Sequence, residues 1–427
     1  MGWSVLGKSE YAWTAEVPEA TVGTTGMAGT AGTAGTAGID VERVRRDTAG
    51  CARVTHLNNA GAALQPRPVV DAVVEHLRLE EEIGGYEAAV ARADRVEHTY
   101  DALARLVGAA REDIAVVENA TRAWDMGFYA LPWAPGDRIL TSRAEYASNA
   151  IALLQTARRH GVQVEVVPDD ETGALDVDAL RRLVDERVKL IAVTHVPTQG
   201  GLVNPAAEIG KVAREAGITY LLDACQSVGQ LPVDVGEIGC DLLTATGRKF
   251  LRGPRGTGFL YCSPRIRESL EPPFLDLHAA TWTTADSYQV RADARRFETW
   301  ETSYAGKIGL GVAVDYALDL GLDAIEARVT HLADALRTRL RALPGVRVQD
   351  RGTRQSGIVS FTVEGRDSHR IAQDLQARQI NVSVSVVTSA RWDLEARGLD
   401  SLVRASVHYY NTEEELDRLC EALPGRG

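Results

Sequence analysis

Lysine occurs only at Lys8, Lys189, Lys211, Lys249 and Lys307, although the 427-residue chain carries 47 lysines and arginines together. A chain that writes arginine wherever a positive charge suffices, yet keeps an amine at one structured position, points to amine chemistry there, because arginine cannot replace lysine in a Schiff base. Lys249 is the candidate. It ends Thr246-Gly247-Arg248-Lys249, just after an apolar run at 241–245 and just before Gly253-Pro254-Arg255-Gly256-Thr257-Gly258. Lys8, Lys189 and Lys211 read as surface charges. Asp223, 26 residues before Lys249, closes the run Tyr220-Leu221-Leu222. A carboxylate at the end of an apolar strand is costly unless a cation meets it, or unless it caps a helix.

Together, Asp223 and Lys249 define a cofactor requirement. Pyridoxal phosphate needs a lysine for covalent attachment and a carboxylate that keeps its ring nitrogen protonated, so that the ring can accept carbanion electrons. It also needs a phosphate cup. Glu118-Asn119-Ala120-Thr121 opens a helix after the run at 114–117, so the backbone N–H groups around Ala120 and the Thr121 hydroxyl offer an anion site at a helix N-terminus. Thr246 and Arg248 would close that cup from the other side. His195, at another strand end, is a candidate for proton transfer or a satisfied structural histidine.

The elements that must position these residues read as alternating strands and helices. Strands are predicted at 114–117, 138–141, 162–167, 190–194, 218–222, 241–245 and 258–261, and helices at 123–131, 147–160, 177–187 and 206–216. This alternation predicts an α/β fold with a largely parallel seven-stranded sheet covered on both faces, whose ligands bind outside the carboxyl ends of the strands. From 308 to 343 the pattern predicts one long helical stretch. An α+β pattern follows, with strands at 358–363, 382–386 and 402–407, helices at 367–378 and 412–423, and a Thr412/Glu415 capping box.

Leu57-Asn58-Asn59-Ala60-Gly61, the 118–123 segment, Glu145-Tyr146-Ala147-Ser148-Asn149, Thr194-His195-Val196, Asp223-Ala224-Cys225-Gln226, Thr246-Gly247-Arg248-Lys249 and Arg404-Ala405-Ser406 stand in the order found in class V aminotransferase-fold enzymes. The chain resembles that pyridoxal-phosphate-dependent family of fold type I over about 55–423. The family includes cysteine desulfurases, isopenicillin-N-epimerase-like proteins and hercynylcysteine sulfoxide lyases. The resemblance implies that Lys249 forms the Schiff base and moves protons at the substrate α-carbon, that Asp223 pairs with the ring nitrogen, and that Gln226 hydrogen-bonds the ring hydroxyl. It implies that Tyr146 stacks on the ring, that Ala120, Thr121, Thr246 and Arg248 hold the phosphate, and that Asn59 and Arg404 bind the substrate, Arg404 at its α-carboxylate. It also implies a homodimer with its active sites at the interface.

The departures from the family pattern narrow the reaction. Desulfurases carry a nucleophilic cysteine in the loop where this chain has Val387-Thr388-Ser389-Ala390-Arg391-Trp392, and no cysteine lies between Cys262 and Cys420. Thr299-Trp300-Glu301-Thr302-Ser303 replaces their phosphate-binding Gly-Thr-Pro. Gly84-Gly85-Tyr86 resembles a segment near the substrate in the sulfoxide lyases. The expected reaction is β-elimination from a cysteine conjugate or cysteine sulfoxide, with transamination and then epimerisation as alternatives. A non-catalytic binding protein has no use for both Asp223 and Lys249.

Composition bounds the remainder. A net charge of −12 disfavours nucleic acid and anionic membranes as partners, and a small amino-acid substrate is expected instead. No run is apolar enough to span a bilayer. Five widely spaced cysteines without a CxxC suggest neither a metal site nor a disulfide framework, which fits the cytoplasm. The expected organisation is a disordered Ala-Gly-Thr-rich extension at 1–38, a segment at 39–60 packing on the small domain, a large cofactor-binding domain at 61–306 and a small C-terminal domain at 307–427.

Overall fold

The computed structural model describes residues 38–423, and the extension expected at 1–38 falls outside them except for Gly38. Seven strands form the main sheet: β1 (Ile114–Val117), β2 (Arg138–Thr141), β3 (Gln163–Val166), β4 (Val188–Thr194), β5 (Thr219–Asp223), β6 (Leu242–Thr246) and β7 (Gly258–Cys262). Their order is β1-β7-β6-β5-β4-β2-β3. β7 runs antiparallel to both β1 and β6, and the other pairs are parallel. All seven strands lie where the alternation of apolar runs predicts them, within two residues at each end.

The sheet is covered on both faces, which is why its central strands read as continuous apolar runs. Successive side chains alternate between two cores. Tyr220, Leu222, Leu243, Phe259 and Ile191 enter one of them. Leu221, Leu242, Leu260, Leu190 and Ala192 enter the other, where Trp124 and Phe128 of helix Ala120–Phe128 and Leu153 of helix Ala147–His160 cover them. This parity decides which residues beyond the strand ends face the site.

A second, antiparallel sheet follows: β8 (Val346–Val348), β9 (Ile358–Val363), β10 (Ser383–Val386) and β11 (Ser401–Ser406), in the order β8-β9-β11-β10. Its core joins Phe361 and Val403 to Leu332, Leu336, Leu416 and Leu419 of the flanking helices. Near the N-terminus, Thr55–His56 lies parallel to Ile380–Asn381, and Leu57 enters this same core. The Thr412/Glu415 capping box forms as expected.

The single helix expected over 308–343 is two helices, Tyr304–Leu320 and Leu322–Arg341. Gly321 separates them with φ 83°, a conformation that only glycine adopts freely. The first helix inserts Leu310 and Val314 into the main-sheet core, while its end brings Tyr316 and Ala317 to the second core. It thus ties the two sheets together. An exposed hairpin, Ala280–Thr284 with Ser287–Val290, and the helices Arg67–Ile83 and Ala93–Val107 complete the fold.

Candidate active site

A cavity of about 410 Å³ opens at the carboxyl ends of β4, β5 and β6. It lies on the face covered by helices Ala120–Phe128 and Ala147–His160. Ala120, Thr121, Tyr146, Asp223, Gln226, Thr246, Arg248 and Lys249 all line it. Residues scattered over more than a hundred positions of sequence therefore converge, and each does so for a local reason.

Asp223 ends β5 with the parity of Leu221, which aims it at the cavity face. Its Oδ1 accepts the Cys225 N–H at 2.9 Å and its Oδ2 the Asn149 amide at 2.8 Å. It is buried without an ion-pair partner among the described residues. The side-chain amine of Lys249 has no hydrogen-bond or ion-pair partner among the described residues; burial pushes its ammonium below the usual lysine range, Arg248 and Arg404 add to this, and Cys225 and Asp223 oppose it. An unpartnered amine and an unpaired carboxylate share one cavity.

The floor of the cavity is a helix start. Asn119 caps helix Ala120–Phe128 by accepting the Arg122 N–H at 2.9 Å, and Ala120 and Thr121 occupy its first turn beside the cavity. Gly258 permits this closeness. A Cβ there would lie 2.7 Å from the Asn119 carbonyl carbon and 2.9 Å from the Ala120 nitrogen. Arg248 donates to the Gly61 carbonyl and has no carboxylate partner, so an anion at the helix start would meet a cation as well as N–H groups.

Arg404, on β11, is buried at 7% exposure with no acidic partner. It donates to the Thr198 hydroxyl at 2.7 Å, the Thr198 carbonyl at 3.0 Å and Asn58 Oδ1 at 3.3 Å, and its Nε has no partner. Burial, with Arg248 nearby, pushes its guanidinium down to about 10. Thr198 lines the cavity, so Arg404 stands directly behind the wall. A buried cation without a counter-ion is a receptor for an anionic group.

Two expected site residues lie elsewhere. His195 does not line the cavity although Thr194 and Val196 do. It follows the parity of Ile191 and Val193, so its ring belongs to the opposite face, where burial pushes it down to about 4. Asn59 is fully buried and committed to structure: its amide donates to the Ser406 carbonyl at 2.7 Å and its oxygen accepts the Tyr410 hydroxyl. Its neighbour Asn58 is the residue that reaches Arg404. Nor does Gly84-Gly85-Tyr86 reach the cavity; Gly85 and Tyr86 line a separate groove with Trp300 and Tyr304.

Asn149 and Glu145 had been given no role. Glu145 is buried and accepts the Tyr146 N–H at 2.8 Å, the Asn149 amide at 2.9 Å and the Thr194 N–H at 3.1 Å, as well as the Thr194 hydroxyl. One carboxylate thus organises Tyr146 and Thr194, which line the cavity, and Asn149, the partner of Asp223. The spacing from Glu145 to Asn149, one helical turn across the start of a helix, was the available signal.

The residues present fit pyridoxal phosphate. Lys249 is free to attach it, Asp223 lacks a cationic partner, the buried Gln226 Oε1 has no partner, and the helix start with Arg248 suits a phosphate. Comparison with known proteins agrees. The family model for class-V aminotransferases matches residues 55–419. A probable cysteine desulfurase of Methanothermobacter thermautotrophicus is 31% identical over 388 residues, covering 90% of this chain and 97% of the relative. The apo cysteine desulfurase of Thermococcus onnurineus NA1 superposes with a TM-score of 0.83 at 28% identity, over 90% of this chain and 96% of that one. The cystine C–S lyase C-DES, solved with its product cysteine persulfide, gives a TM-score of 0.80 at 25% identity over 89% of this chain and 100% of that one. In a variant of the same lyase, glycine is covalently linked to the PLP cofactor. The chain belongs to the class-V aminotransferase family, and its cavity is that of a pyridoxal-phosphate-dependent enzyme.

Proposed function

We propose that this protein is a C–S β-lyase acting on a cysteine conjugate or cysteine sulfoxide, as the hercynylcysteine sulfoxide lyases do. The carrying observation is a cavity that holds an amine and an acid, with an unpaired guanidinium behind its Thr198 wall, but no thiol able to accept sulfur. Cys225 is the one cysteine lining it, and burial together with Asp223 pushes that thiol well above the usual range, with Lys249 opposing. Sulfur transfer to protein requires a thiolate. The sulfur fragment therefore leaves to solvent. C-DES, a C–S lyase on the same fold, supports lyase chemistry on this scaffold, and the missing thiol is what favours it here over sulfur transfer to protein.

Bound pyridoxal phosphate supplies an electrophilic carbon for amine attachment and a ring that draws electrons from the substrate α-carbon. Lys249 would attach it and, once the substrate's own amine has taken its place on that carbon and released the lysine amine, would remove the substrate α-proton. Asp223 would keep the ring nitrogen protonated, Gln226 would bond the ring hydroxyl and Tyr146 would cover the ring. Ala120 and Thr121, with Thr246 and Arg248, would hold the phosphate. Arg404 binds the α-carboxylate and so orients the Cα–H bond toward Lys249. The C–S bond then breaks with its electron pair on sulfur, and the remaining amino acid fragment hydrolyses to pyruvate and ammonia.

The protein acts as a homodimer in this reading. Exposed Val70, Val74, Leu77 and Ile83 on helix Arg67–Ile83, with Tyr86 and Trp300 beside them, supply an apolar face for a second copy. A reducing cytoplasm is supported by five free cysteines. The deciding experiment feeds cysteine conjugates and sulfoxides to the holoenzyme and assays pyruvate, then supplies amino donors with 2-oxo acids. Pyruvate released in step with the thiol or sulfenate is the expected result. Amino transfer without pyruvate would make the enzyme an aminotransferase, and inversion of the substrate alone an epimerase.

A further inference from the structure

Arg252 lies three residues beyond Lys249 and has a φ of 61°, a left-handed conformation that a Cβ disfavours. Its side chain is 1% exposed, and no carboxylate pairs with it among the described residues. Instead, Nε donates to the Leu64 carbonyl at 2.7 Å, Nη1 to the Tyr409 hydroxyl at 2.8 Å and Nη2 to the Thr48 hydroxyl at 2.5 Å. The cation stands over the rings of Tyr410, Tyr409 and Tyr316 at 4.6, 5.2 and 5.8 Å. A strained backbone and a buried charge held only by neutral partners are both unusual placements, so the residue calls for a function.

The backbone of the same turn shows what is held. The Arg252 N–H donates to the Lys249 carbonyl at 2.9 Å, and the Phe250 carbonyl accepts from His408 Nε2 at 3.0 Å. Tyr409 and His408 leave the end of β11, the strand that carries Arg404. We propose that Arg252 is a positioning residue for Lys249: its three-way fork pins the lysine turn to the N-terminal segment at Thr48 and Leu64 and to the chain leaving β11, and so fixes the amine relative to Arg404. This rests on Lys249 being the cofactor lysine. A lysine at 252 would keep the charge but lose the planar fork that reaches three acceptors at once.

Three variants test the proposal. Arg252→Gly removes the fork and also relieves the φ constraint, Arg252→Lys keeps only the charge, and Tyr409→Phe deletes one prong while leaving the ring. Each apoprotein is titrated with pyridoxal phosphate, its visible absorbance is followed against pH, and its melting temperature is recorded. The charged groups nearest Lys249, namely Asp223, Arg248, Arg404 and the Cys225 thiol, are unchanged in all three. Both Arg252 variants should bind the cofactor about tenfold more weakly and shift the pH midpoint of the lysine-bound absorbance, with Tyr409→Phe shifting it the same way by less. A lowered melting temperature with native affinity and a native pH midpoint would overturn the proposal, as would Tyr409→Phe behaving as native if the Arg252 variants fail to fold. Lys249→Ala, reduced with borohydride, separates the two claims: cofactor still fixed covalently in that variant would refute the Lys249 assignment itself.

Discussion

The side-chain amide of Asn149 donates to the carboxylate of Asp223 at 2.8 Å. The same nitrogen donates to Glu145 at 2.9 Å, so one amide separates two buried acids and satisfies both. Asn149→Ala would leave those carboxylates facing each other without the donor between them. Charge-assisted hydrogen bonds of this kind contribute about 1.5–3 kcal/mol, so cofactor affinity should fall roughly 10- to 100-fold. Absorbance titration of the apoprotein checks this, and an unchanged dissociation constant would show that Asp223 needs no such support.

The proposed role of Arg404 is on substrate and not on cofactor. Arg404→Ala should raise KM by about 100-fold, the value of a buried bidentate carboxylate contact, while the cofactor stays bound. Steady-state kinetics with a spectrum of the same preparation tests both halves. Loss of the cofactor band would contradict the assignment.

Two buried groups give opposite pH dependences of stability. Burial pushes Glu145 up to about 7, Asp223 adds to this, and the Thr194, Asn149 and Tyr146 donors oppose it. The folded chain therefore holds that proton more tightly than the unfolded chain, so the contribution is complete below about pH 4.5 and is lost as pH rises through about 7. His195 is pushed down to about 4, so its contribution is complete above about pH 6.5 and is lost as pH falls through about 4. Urea midpoints at about pH 5 and pH 7.5 should show Glu145→Gln gaining on the native protein at the higher pH, and His195→Gln gaining at the lower. Equal offsets at both pH values would reject either claim.

Gly258→Ala places a methyl group against backbone atoms, 2.8 Å from the Ala245 oxygen as well as close to the start of helix Ala120–Phe128. Backbone cannot rotate away as a side chain can. The variant should lose about 1–3 kcal/mol of stability, and the displaced helix start should weaken phosphate binding. Denaturation and cofactor titration together check it; a stability loss without weaker cofactor binding would show that the phosphate is held elsewhere.

Much of this architecture was legible in the sequence because parallel strands buried on both faces are written as uninterrupted apolar runs, with polar residues placed just past their ends. Asp223, Thr246 and Lys249, at or just past such ends, are the ones that line the cavity. Strand parity also separates His195 from the cavity: Leu190, Ala192 and Thr194 share a face, which puts His195 on the other. Asn58 and Asn59 pose the same ambiguity, and only the pairing of the N-terminal segment with β11 resolves it. Arg252 was invisible, since neither its left-handed backbone nor its three distant acceptors leave a trace in local sequence. The break at Gly321 lies within a pattern that stays helical on either side.

β1 lies at the edge of the main sheet, and its only neighbour there is β7, the last strand of that sheet to be synthesised. The helix whose start is proposed to hold the phosphate begins directly after β1. During folding, the first strand must wait for the last before it can join the sheet, a long-range closure of the kind that slows folding. Cofactor capture is therefore a late event, and pyridoxal phosphate should report completion of the whole sheet during refolding instead of nucleating any part of it.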